Sequence, residues 1–319
     1  MNVVVVGGGK GQSALLRGLK NVEGINLKAI VTVADDGGST GRLREEFNLP
    51  AMGDIRNVML SLAESETLLS VIMNYRFDEG TRSSLAGHNL GNLIFTALAT
   101  ASGNFMEVIT QLSQVLNVKG EVIPASMDFI TLCARMEDGT IVRGESNIPK
   151  YSNTIDHVYY DVDVKATENA VAAIMEADVI VMGVGSVYTS ILPNLIIPEI
   201  KEAIRQTKAK KVYYCNAMSQ PGETDGYTAE DHVNAILKHI DASLDLVVAA
   251  SDPISKEVLE HYEEENSYPV LFRTQNHTYP VLQQDLLHFD NNRIRHDHDK
   301  VEKGFKEVLE ALGCPLAVK

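Results

Sequence analysis

The amino-acid sequence predicts an α/β fold, a doubly wound and mainly parallel sheet, on three observations. A fully apolar run, residues 3–6, is cut off by three glycines, as in a strand that a parallel sheet buries on both faces. A helical pattern and a second apolar run follow, which together make a βαβ unit. Strand-like and helix-like segments alternate again in the second half, which indicates right-handed crossovers. We therefore expect a single Rossmann-like domain over residues 1–319.

The first half of the chain is dominated by helices. Apolar residues recur at helical spacing after Gly11, and an apolar run at 27–33 predicts the second strand. Longer helical patterns cover residues 54–75 and 92–100, and Asn92 is expected to cap the second of these.

Residues 121–164 break this rhythm with short β-rich pieces. Segments 130–136 and 140–143 are separated by Asp138-Gly139, a pair that favours a hairpin turn. We interpret the stretch as a β-rich insertion or sheet extension, and as a possible subdomain.

The βα alternation then resumes to the end of the chain. Helices are predicted at 168–176, 198–207, 228–240, 256–264 and 300–312, and strands at 179–182, 212–215 and 244–249.

Composition narrows the class of protein. A net charge of -15 would repel nucleic acid and anionic membranes, so we expect neither as a partner. The three cysteines, Cys133, Cys215 and Cys314, have no short spacing that would indicate disulfides or zinc. The sequence shows no basic leader and no apolar stretch near the roughly 20 residues of a membrane span. We expect a cytoplasmic protein.

The first candidate site is the glycine-rich string GGGKGQS after the first strand. In open parallel sheets, ligands bind beyond the carboxyl ends of strands, where backbone N–H groups at a helix start converge on an anion. The string fits GxGxx[GA] with Ala14 but is not a P-loop. The alternative is a merely tight turn. Phosphate binding is predicted for Gly7, Gly8, Gly9, Lys10, Gly11 and Ser13.

The second is VADDGGSTGRLR, residues 33–44, at the end of the second strand. Its adjacent carboxylates, Asp35 and Asp36, stand near where a dinucleotide fold places its ribose-binding acid, and they also suit a metal. The alternative is that both residues cap a turn. The anion-friendly residues beside them are Gly37, Gly38, Ser39, Thr40 and Arg42.

Two later loops, the third and the fourth, also follow strands. GVGSVYTSILPNL, residues 183–195, offers donors for a phosphate, namely Gly183, Gly185, Ser186, Thr189, Ser190 and Asn194. CNAMSQPGETDGYTAEDHV, residues 215–233, is longer than a bare connection requires. Its candidates, each equally open to a structural reading, are Asn216, Asp225 and His232.

Weaker signals lie elsewhere. The strings GDIRN and GHNLGN are expected to bring side chains to the same cleft, although capping explains Asp54 equally well; they are Asp54, Arg56, Asn57, His88 and Asn89. His296 and His298 alternate with aspartates in RIRHDHDK, which invites a metal reading, but a solvated surface loop accounts for them better.

These strings, together with MGDIRN, GHNLGNL and GSVYTSILPNL, resemble the gluconeogenesis factor family, the bacterial branch of the 2-phospho-L-lactate transferase superfamily. The similarity runs from residue 1 to about 235 with the motifs in the family's order. One departure is Val184, which stands where the family has proline in a GPGS loop.

The resemblance implies a protein needed for normal cell shape and for growth on gluconeogenic carbon sources. It implies binding of a UDP-sugar, particularly UDP-N-acetylglucosamine, and regulation of cell-wall precursor supply through a partner metabolic enzyme. Loops 7–11 and 183–190 would hold the diphosphate and Asp35 or Asp36 the ribose or a metal, with Asn216 and Asp225 at the cleft.

The leading hypothesis is a nucleotide-sugar sensor without turnover that requires no cofactor and forms a homo-oligomer. The rival, drawn from the superfamily's transferases, is a transferase in which Asp35 and Asp36 hold Mg²⁺ against a diphosphate leaving group. A nicotinamide oxidoreductase rests on the Rossmann-like start alone. Binding of NAD nevertheless stays open, because such loops recognise diphosphates in general.

Overall fold

The computed structural model describes residues 1–64, 68–80 and 82–316. Within these residues the strands are β1 (Asn2–Gly7), β2 (Asn26–Val31), β3 (Glu121–Pro124), β4 (Leu132–Met136), β5 (Ile141–Arg143), β6 (Ile155–Tyr160), β7 (Val179–Met182), β8 (Lys210–Tyr214), β9 (Leu246–Ala250), β10 (Val281–Gln284), β11 (Leu287–Asp290) and β12 (Arg293–His296).

The helices of the described chain are α1 (Gly9–Leu19), α2 (Gly38–Phe47), α3 (Gly53–Leu62), α4 (Leu68–Asn74), α5 (Leu90–Ser102), α6 (Phe105–Val115), α7 (Glu168–Met175), α8 (Leu192–Leu195), α9 (Pro198–Gln206), α10 (Ala229–Ile240), α11 (Lys256–Glu264) and α12 (His298–Ala311). A 3₁₀ turn covers Glu145–Lys150, and a π-helical turn covers Val187–Ile191.

The main sheet of the described chain has seven strands in the order β10-β9-β8-β7-β1-β2-β3, and all of its pairs are parallel. This confirms the predicted doubly wound sheet. From β1 the chain builds outward through β2 to β3, and it then returns to place β7 on the other side of β1. The strand order therefore reverses between β1 and β7, which is where open α/β sheets bind ligands.

The apolar run that opens the sequence is the centre of the core. Residues Val3 to Val6 and Val179 to Met182 are fully buried and pair in parallel register, Val3 with Val179. Burial on both faces explains why β1 and β7 show no polar alternation.

The β-rich stretch at 121–164 divides between two sheets. Strand β3 extends the main sheet beside β2, whereas β4, β5 and β6 form a separate antiparallel sheet in the order β5-β4-β6. The predicted hairpin is confirmed, since Gly139 has a positive φ of 86° and the Asp138 carboxylate accepts the N–H of Thr140 at 2.9 Å. Both readings, insertion and extension, are thus partly right.

The predicted helix at 54–75 is wrong in one respect, because it is two helices, α3 and α4, separated by a stretch that includes undescribed residues 65–67. The ammonium group of Lys20 donates to the carbonyl oxygens of Ser61 and Ala63 at 3.0 and 2.6 Å, which satisfies the end of α3.

The cap of α5 also differs from the prediction. Asn89, not Asn92, is the N-cap, and its side chain accepts the N–H of Asn92 at 3.0 Å. Elements that the sequence patterns missed include α2, α6, α8 and the strands of residues 281–296. Helix α2 was hidden because its first turn is rich in glycine, a poor helix former.

Two expectations from composition can be compared with the structure. All three cysteines lie among the described residues and are free thiols. No helix in the described part of the chain has the length and apolar character needed to cross a membrane.

Candidate functional site

The loops after β1 and β7 meet at the point where the strand order reverses. A Cβ atom on Gly11 would overlap the carbonyl oxygen of Val184, and one on Gly185 would lie 3.7 Å from the oxygen of Gly8. Only a residue without a side chain allows this approach at position 11. The two predicted phosphate loops therefore form one continuous backbone surface, to which Val184 contributes its carbonyl group.

The start of α1 presents backbone N–H groups at this surface. Its N-cap, Gly8, offers no side chain, and Gly9 follows with a positive φ of 60°. The first N–H groups of a helix have no partner inside it. The Asp54 carboxylate accepts a hydrogen bond from the backbone N–H of Gly9. The Ser13 hydroxyl donates within the helix to the Gly9 carbonyl at 2.8 Å. Asp54 thus occupies part of the position that an anion would take.

Lys10 lies beside this surface in the first turn of α1. The residue is exposed, and its ammonium group makes no hydrogen bond or ion pair with the described residues. It remains available to a bound anion.

Asp35 lies where the second loop meets α3. Its carboxylate accepts the N–H of Gly37 at 2.9 Å and a hydrogen bond from Thr40, and its Oδ2 would lie 3.0 Å from a Cβ on Gly53. Burial raises the pKa of Asp35. Its surroundings fit the predicted place beside a ligand.

Asp36 faces a different neighbourhood. Its Oδ1 accepts the N–H of Ser146 at 2.9 Å, and its Oδ2 lies against Gly144 at the start of the 3₁₀ turn. Asp36 therefore fastens residues 144–146 to the end of β2. This contact gives Asp36 a structural task that the sequence did not indicate.

Arg44 strengthens the same connection. Its side chain is 1% exposed, donates to the carbonyl oxygens of Ala34 and Asp35, and reaches the carbonyl of Ile130. Its guanidinium lies 4.2 Å from the ring centre of Phe129. The sequence predicted a site role for Arg42 and none for Arg44, but Arg42 is exposed and donates to the carbonyl of Ala86 at 3.0 Å.

The GDIRN and GHNLGN strings do meet the second loop, as predicted. The Ser39 oxygen lies 3.1 Å from His88 Nδ1 and accepts the N–H of Asn89 at 3.1 Å. Arg56 donates to the side-chain oxygens of Asn92 and Asn57 at 2.6 and 2.7 Å. Burial lowers the pKa of His88. These buried groups hold α2, α3 and α5 together behind the loop.

The third loop is tied to the fourth by a carboxylate that the sequence did not single out. Glu223 is 3% exposed and accepts hydrogen bonds from the hydroxyls of Ser186 and Thr189 and from the Gln220 amide. Each hydroxyl has one proton to donate. The Ser186 and Thr189 protons are therefore engaged in this structure rather than directed at a phosphate.

Two asparagines position the third loop. Asn216 donates to the Gly185 carbonyl at 2.9 Å and accepts its N–H at 3.4 Å. Asn194 is fully buried, and its amide donates to the carbonyls of Gly7 and Ser190 at 3.0 and 2.9 Å. Asn194 was predicted to contact phosphate, and in the structure its amide joins the end of β1 to the π-helical turn of the third loop.

Four carboxyl groups, those of Asp35, Asp54, Glu145 and Glu223, form a carboxyl group cluster around these loops. Glu145 on the 3₁₀ turn interacts electrostatically with Asp35, Asp54 and Glu223, and burial together with this mutual repulsion raises its pKa to about 8. Burial is also the main cause that raises the pKa of Asp54 and of Glu223 to about 7. An anionic ligand here requires protons or a cation to offset the carboxylates.

A bound metal is the second way to offset this charge. Among the described residues, no three His, Cys, Asp or Glu side chains are placed to hold one. Mg²⁺ commonly uses only one or two carboxylates and takes its remaining ligands from phosphate and water. Asp35 and the nearby Asp54 fit that requirement, whereas Asp36 is engaged with Ser146.

The remaining candidates lie away from the loop surface or serve the scaffold. Asp225 is exposed and accepts the N–H of Gly222 at 2.7 Å, and His232 is fully buried against the Thr228 carbonyl. The expected solvated loop is wrong for His296, which lies in β12 with its Nε2 buried and a pKa that burial lowers to about 4, while His298 is exposed at the start of α12. These two histidines belong to no metal-binding group among the described residues.

The chain is similar to known proteins over nearly its whole length. The family model described as 2-phospho-L-lactate transferase CofD matches residues 3–287. The chain is 46% identical over 317 residues to a gluconeogenesis factor of Halalkalibacterium halodurans, with 96% of each chain covered. It is 43% identical over 313 residues to the gluconeogenesis factor of Bacillus subtilis, covering 97% of this chain and 98% of that protein.

Solved structures agree with the fold. A crystal structure of a member of the UPF0052 family from Bacillus halodurans superposes with a TM-score of 0.90 at 45% sequence identity. The match covers 95% of this chain and 98% of that one. The chain is thus similar to these proteins over nearly its whole length.

Proposed function

The chain belongs to the 2-phospho-L-lactate transferase CofD family, and on that premise we propose that it is a gluconeogenesis factor that binds a nucleotide sugar. The ligand class is that of UDP-N-acetylglucosamine. Binding adjusts the flow of carbon into cell-wall precursors through a partner enzyme, and it supports cell shape during gluconeogenic growth.

The observation that carries this proposal is the joint surface of the first and third loops. Gly11 and Val184 touch backbone to backbone, and the start of α1 directs N–H groups to the same place. Such a surface suits a diphosphate, since it offers fixed donors and the positive end of a helix dipole. Lys10 adds an exposed positive charge at its edge.

A role in sensing fits how the side chains of the site are used. The hydroxyls of Ser186 and Thr189 are held by Glu223, and Ser39 is 3% exposed within a buried network. Groups in this state position the loops rather than attack a substrate. Binding without turnover is therefore the function that these contacts support best.

The carboxyl group cluster favours a second candidate, a metal-dependent transferase. Asp35 and Asp54 would hold Mg²⁺, which would neutralise charge on a diphosphate leaving group. In that case Lys10 and the α1 N–H groups orient the diphosphate, and Glu145 carries a proton near it.

Calorimetric titration separates the candidates. The protein is titrated with UDP-N-acetylglucosamine, GDP and NAD, each with and without Mg²⁺, and every mixture is then analysed for new products. Binding of the UDP-sugar without product and without dependence on Mg²⁺ is expected. A Mg²⁺-dependent product that disappears in Asp35→Asn would instead establish the transferase.

The cellular role needs its own test. Deletion of the gene in its host is expected to impair growth and shape on gluconeogenic carbon only, with rescue by the wild-type gene. Failure of a binding-deficient Lys10→Glu variant to rescue would connect the phenotype to the ligand, whereas full rescue would separate them.

A further inference from the structure

A cavity of about 610 Å³ lies next to Glu223, and its lining includes no residue of the loops after β1, β2 and β7. Three separate stretches of chain form it, residues 149–154, 221–227 and 266–268. Its size falls within the usual range of small-molecule pockets. It therefore has room for a substantial part of a ligand.

Glu223 connects this cavity to the anion site. The residue lines the cavity, while its carboxylate accepts hydrogen bonds from Ser186 and Thr189 in the third loop. Ser186 directly follows Gly185, which lies against Gly8 of the first loop. Glu223 therefore places the cavity next to the third loop, on the far side of its own carboxylate.

The chemistry of the walls indicates a neutral, hydroxyl-rich occupant. Tyrosine, asparagine, serine and threonine side chains dominate the lining, and it includes no Lys, Arg or His among the described residues. The charged groups present are the carboxylates of Glu223 and Asp225, which disfavour a phosphate. Tyrosine rings combine an apolar face with a polar tip, and amides both donate and accept, so together they suit a sugar ring.

The walls are also held in place without a ligand. The Tyr227 hydroxyl lies 2.8 Å from that of Tyr188, and the Tyr151 hydroxyl donates to Thr140 at 3.2 Å. A Cβ on Gly222 would overlap the Pro149 carbonyl, so two of the three stretches pack backbone to backbone. A preformed cavity binds with less loss of conformational freedom.

We propose that this cavity holds the sugar of the nucleotide-linked ligand, a neutral hexose or N-acetylhexosamine, and that Tyr268 and Tyr227 are specificity-determining residues for it. The assignment rests on the proposed nucleotide-sugar function. Tyr268 is 44% exposed, and its backbone rather than its ring bonds to Ser219. Its side chain can therefore be removed without disturbing that connection.

The test compares UDP with UDP-N-acetylglucosamine by calorimetry on wild type, Tyr268→Ala and Tyr75→Ala. Tyr75 is 52% exposed and does not line the cavity, so it serves as the matched control. We expect Tyr268→Ala to keep the affinity for UDP and to weaken that for the UDP-sugar about three- to tenfold, as loss of one aromatic contact implies. An unchanged preference for the UDP-sugar in Tyr268→Ala would overturn the assignment.

A second measurement reads the cavity without the nucleotide. N-Acetylglucosamine alone is titrated into the full chain, and the ring signals of Tyr227 and Tyr268 are followed by NMR, with those of Tyr75 as control. Shifts confined to the cavity tyrosines support the sugar site even if no nucleotide binds. In that case the lack of nucleotide binding would contradict the proposed function and not the sugar site. Absence of shifts together with an unaltered sugar preference rejects the cavity.

Discussion

The hydroxyl of Ser186 donates a hydrogen bond to the carboxylate of Glu223, which lies on the neighbouring loop of the sheet edge. Thr189 and Gln220 donate to the same carboxylate, so three donors share one side chain. Only a carboxylate has acceptor capacity for all three without presenting a competing N–H. The third and fourth loops are therefore held together through the carboxylate of one residue, Glu223.

Glu223→Gln replaces one acceptor oxygen by a donor amide and leaves at least one buried hydroxyl without its partner. We expect the free energy of unfolding to fall by about 1–3 kcal/mol and nucleotide-sugar affinity to fall about tenfold. Urea denaturation and calorimetry measure the two effects. Asp225→Asn, an acid-to-amide change on the same loop, keeps an acceptor for Gly222 and serves as the control for stability, where no change is expected; an equal loss of unfolding free energy in both variants would contradict the prediction.

Gly11→Ala tests the contact between the first and third loops. Alanine is favoured over glycine in a helix by about 1 kcal/mol, but its Cβ would overlap the Val184 carbonyl. We expect the overlap to dominate, with a net loss of about 2 kcal/mol or more in unfolding free energy. Thermal unfolding checks this, and the exposed neighbour Lys10→Ala should stay within about 0.5 kcal/mol of wild type. A stabilised Gly11→Ala protein would mean that the loops separate readily.

Asp36→Ala removes the acceptor for the Ser146 N–H. We expect a loss of about 1–3 kcal/mol in unfolding free energy, because a bond to a charged group disappears from a partly buried place. Asp36→Asn keeps an acceptor oxygen and should lose less. Mg²⁺ affinity, followed in the same samples, should not change. Loss of metal binding in Asp36→Asn at unaltered stability would return Asp36 to the metal site predicted from the sequence.

Stability should depend on pH through Glu145. The pKa of its carboxyl is about 8 in the folded protein against an ordinary value of 4.5. A carboxyl whose pKa rises on folding stabilises the fold while protonated, so this contribution is complete below about pH 4.5 and disappears as pH rises through about 8. The unfolding free energy of wild type should therefore fall between about pH 5 and 8.

Glu145→Gln, which is neutral at every pH, provides the comparison. Between about pH 5 and 8 it should lose about 1–2 kcal/mol less unfolding free energy than wild type, as urea denaturation at a series of pH values will show. Asp54 and Glu223, whose pKa values are about 7, keep part of the slope in both proteins. Parallel curves for the two proteins would remove Glu145 from the carboxyl group cluster.

Periodicity predicted the parts of the fold that burial dictates. Strands such as Val179–Met182 are apolar because both faces are covered, so the pattern and the structure coincide. Helix α2 was missed because its first turn contains glycine and serine, which are poor helix formers. These residues are explained by the loop contacts of Ser39 rather than by helix propensity. Strand β3 looked like part of the β-rich stretch, since four residues carry no sign of which sheet they join.

The glycines and polar residues of the four loops were predicted from the sequence as ligand contacts, but the contacts that they make with one another were not. Glu223 stands in a turn-like string, GETDG, where a carboxylate is ordinarily solvated, yet it is buried. Arg44 follows Arg42 by two residues, and nothing local shows that one is buried and the other exposed. Such roles depend on partners far away in the chain, Ile130 and Ser186 among them.

The neighbouring carboxylates at the end of β2 illustrate this dependence. Asp35 holds the second loop through Gly37 and Thr40, and Asp36 holds the turn at residues 144–146 through Ser146. An insertion or deletion of one residue here would exchange the two positions and spoil both connections together. The spacing of this strand end is consequently constrained by two separate connections, and a change in its length would cost the stability that both of them provide.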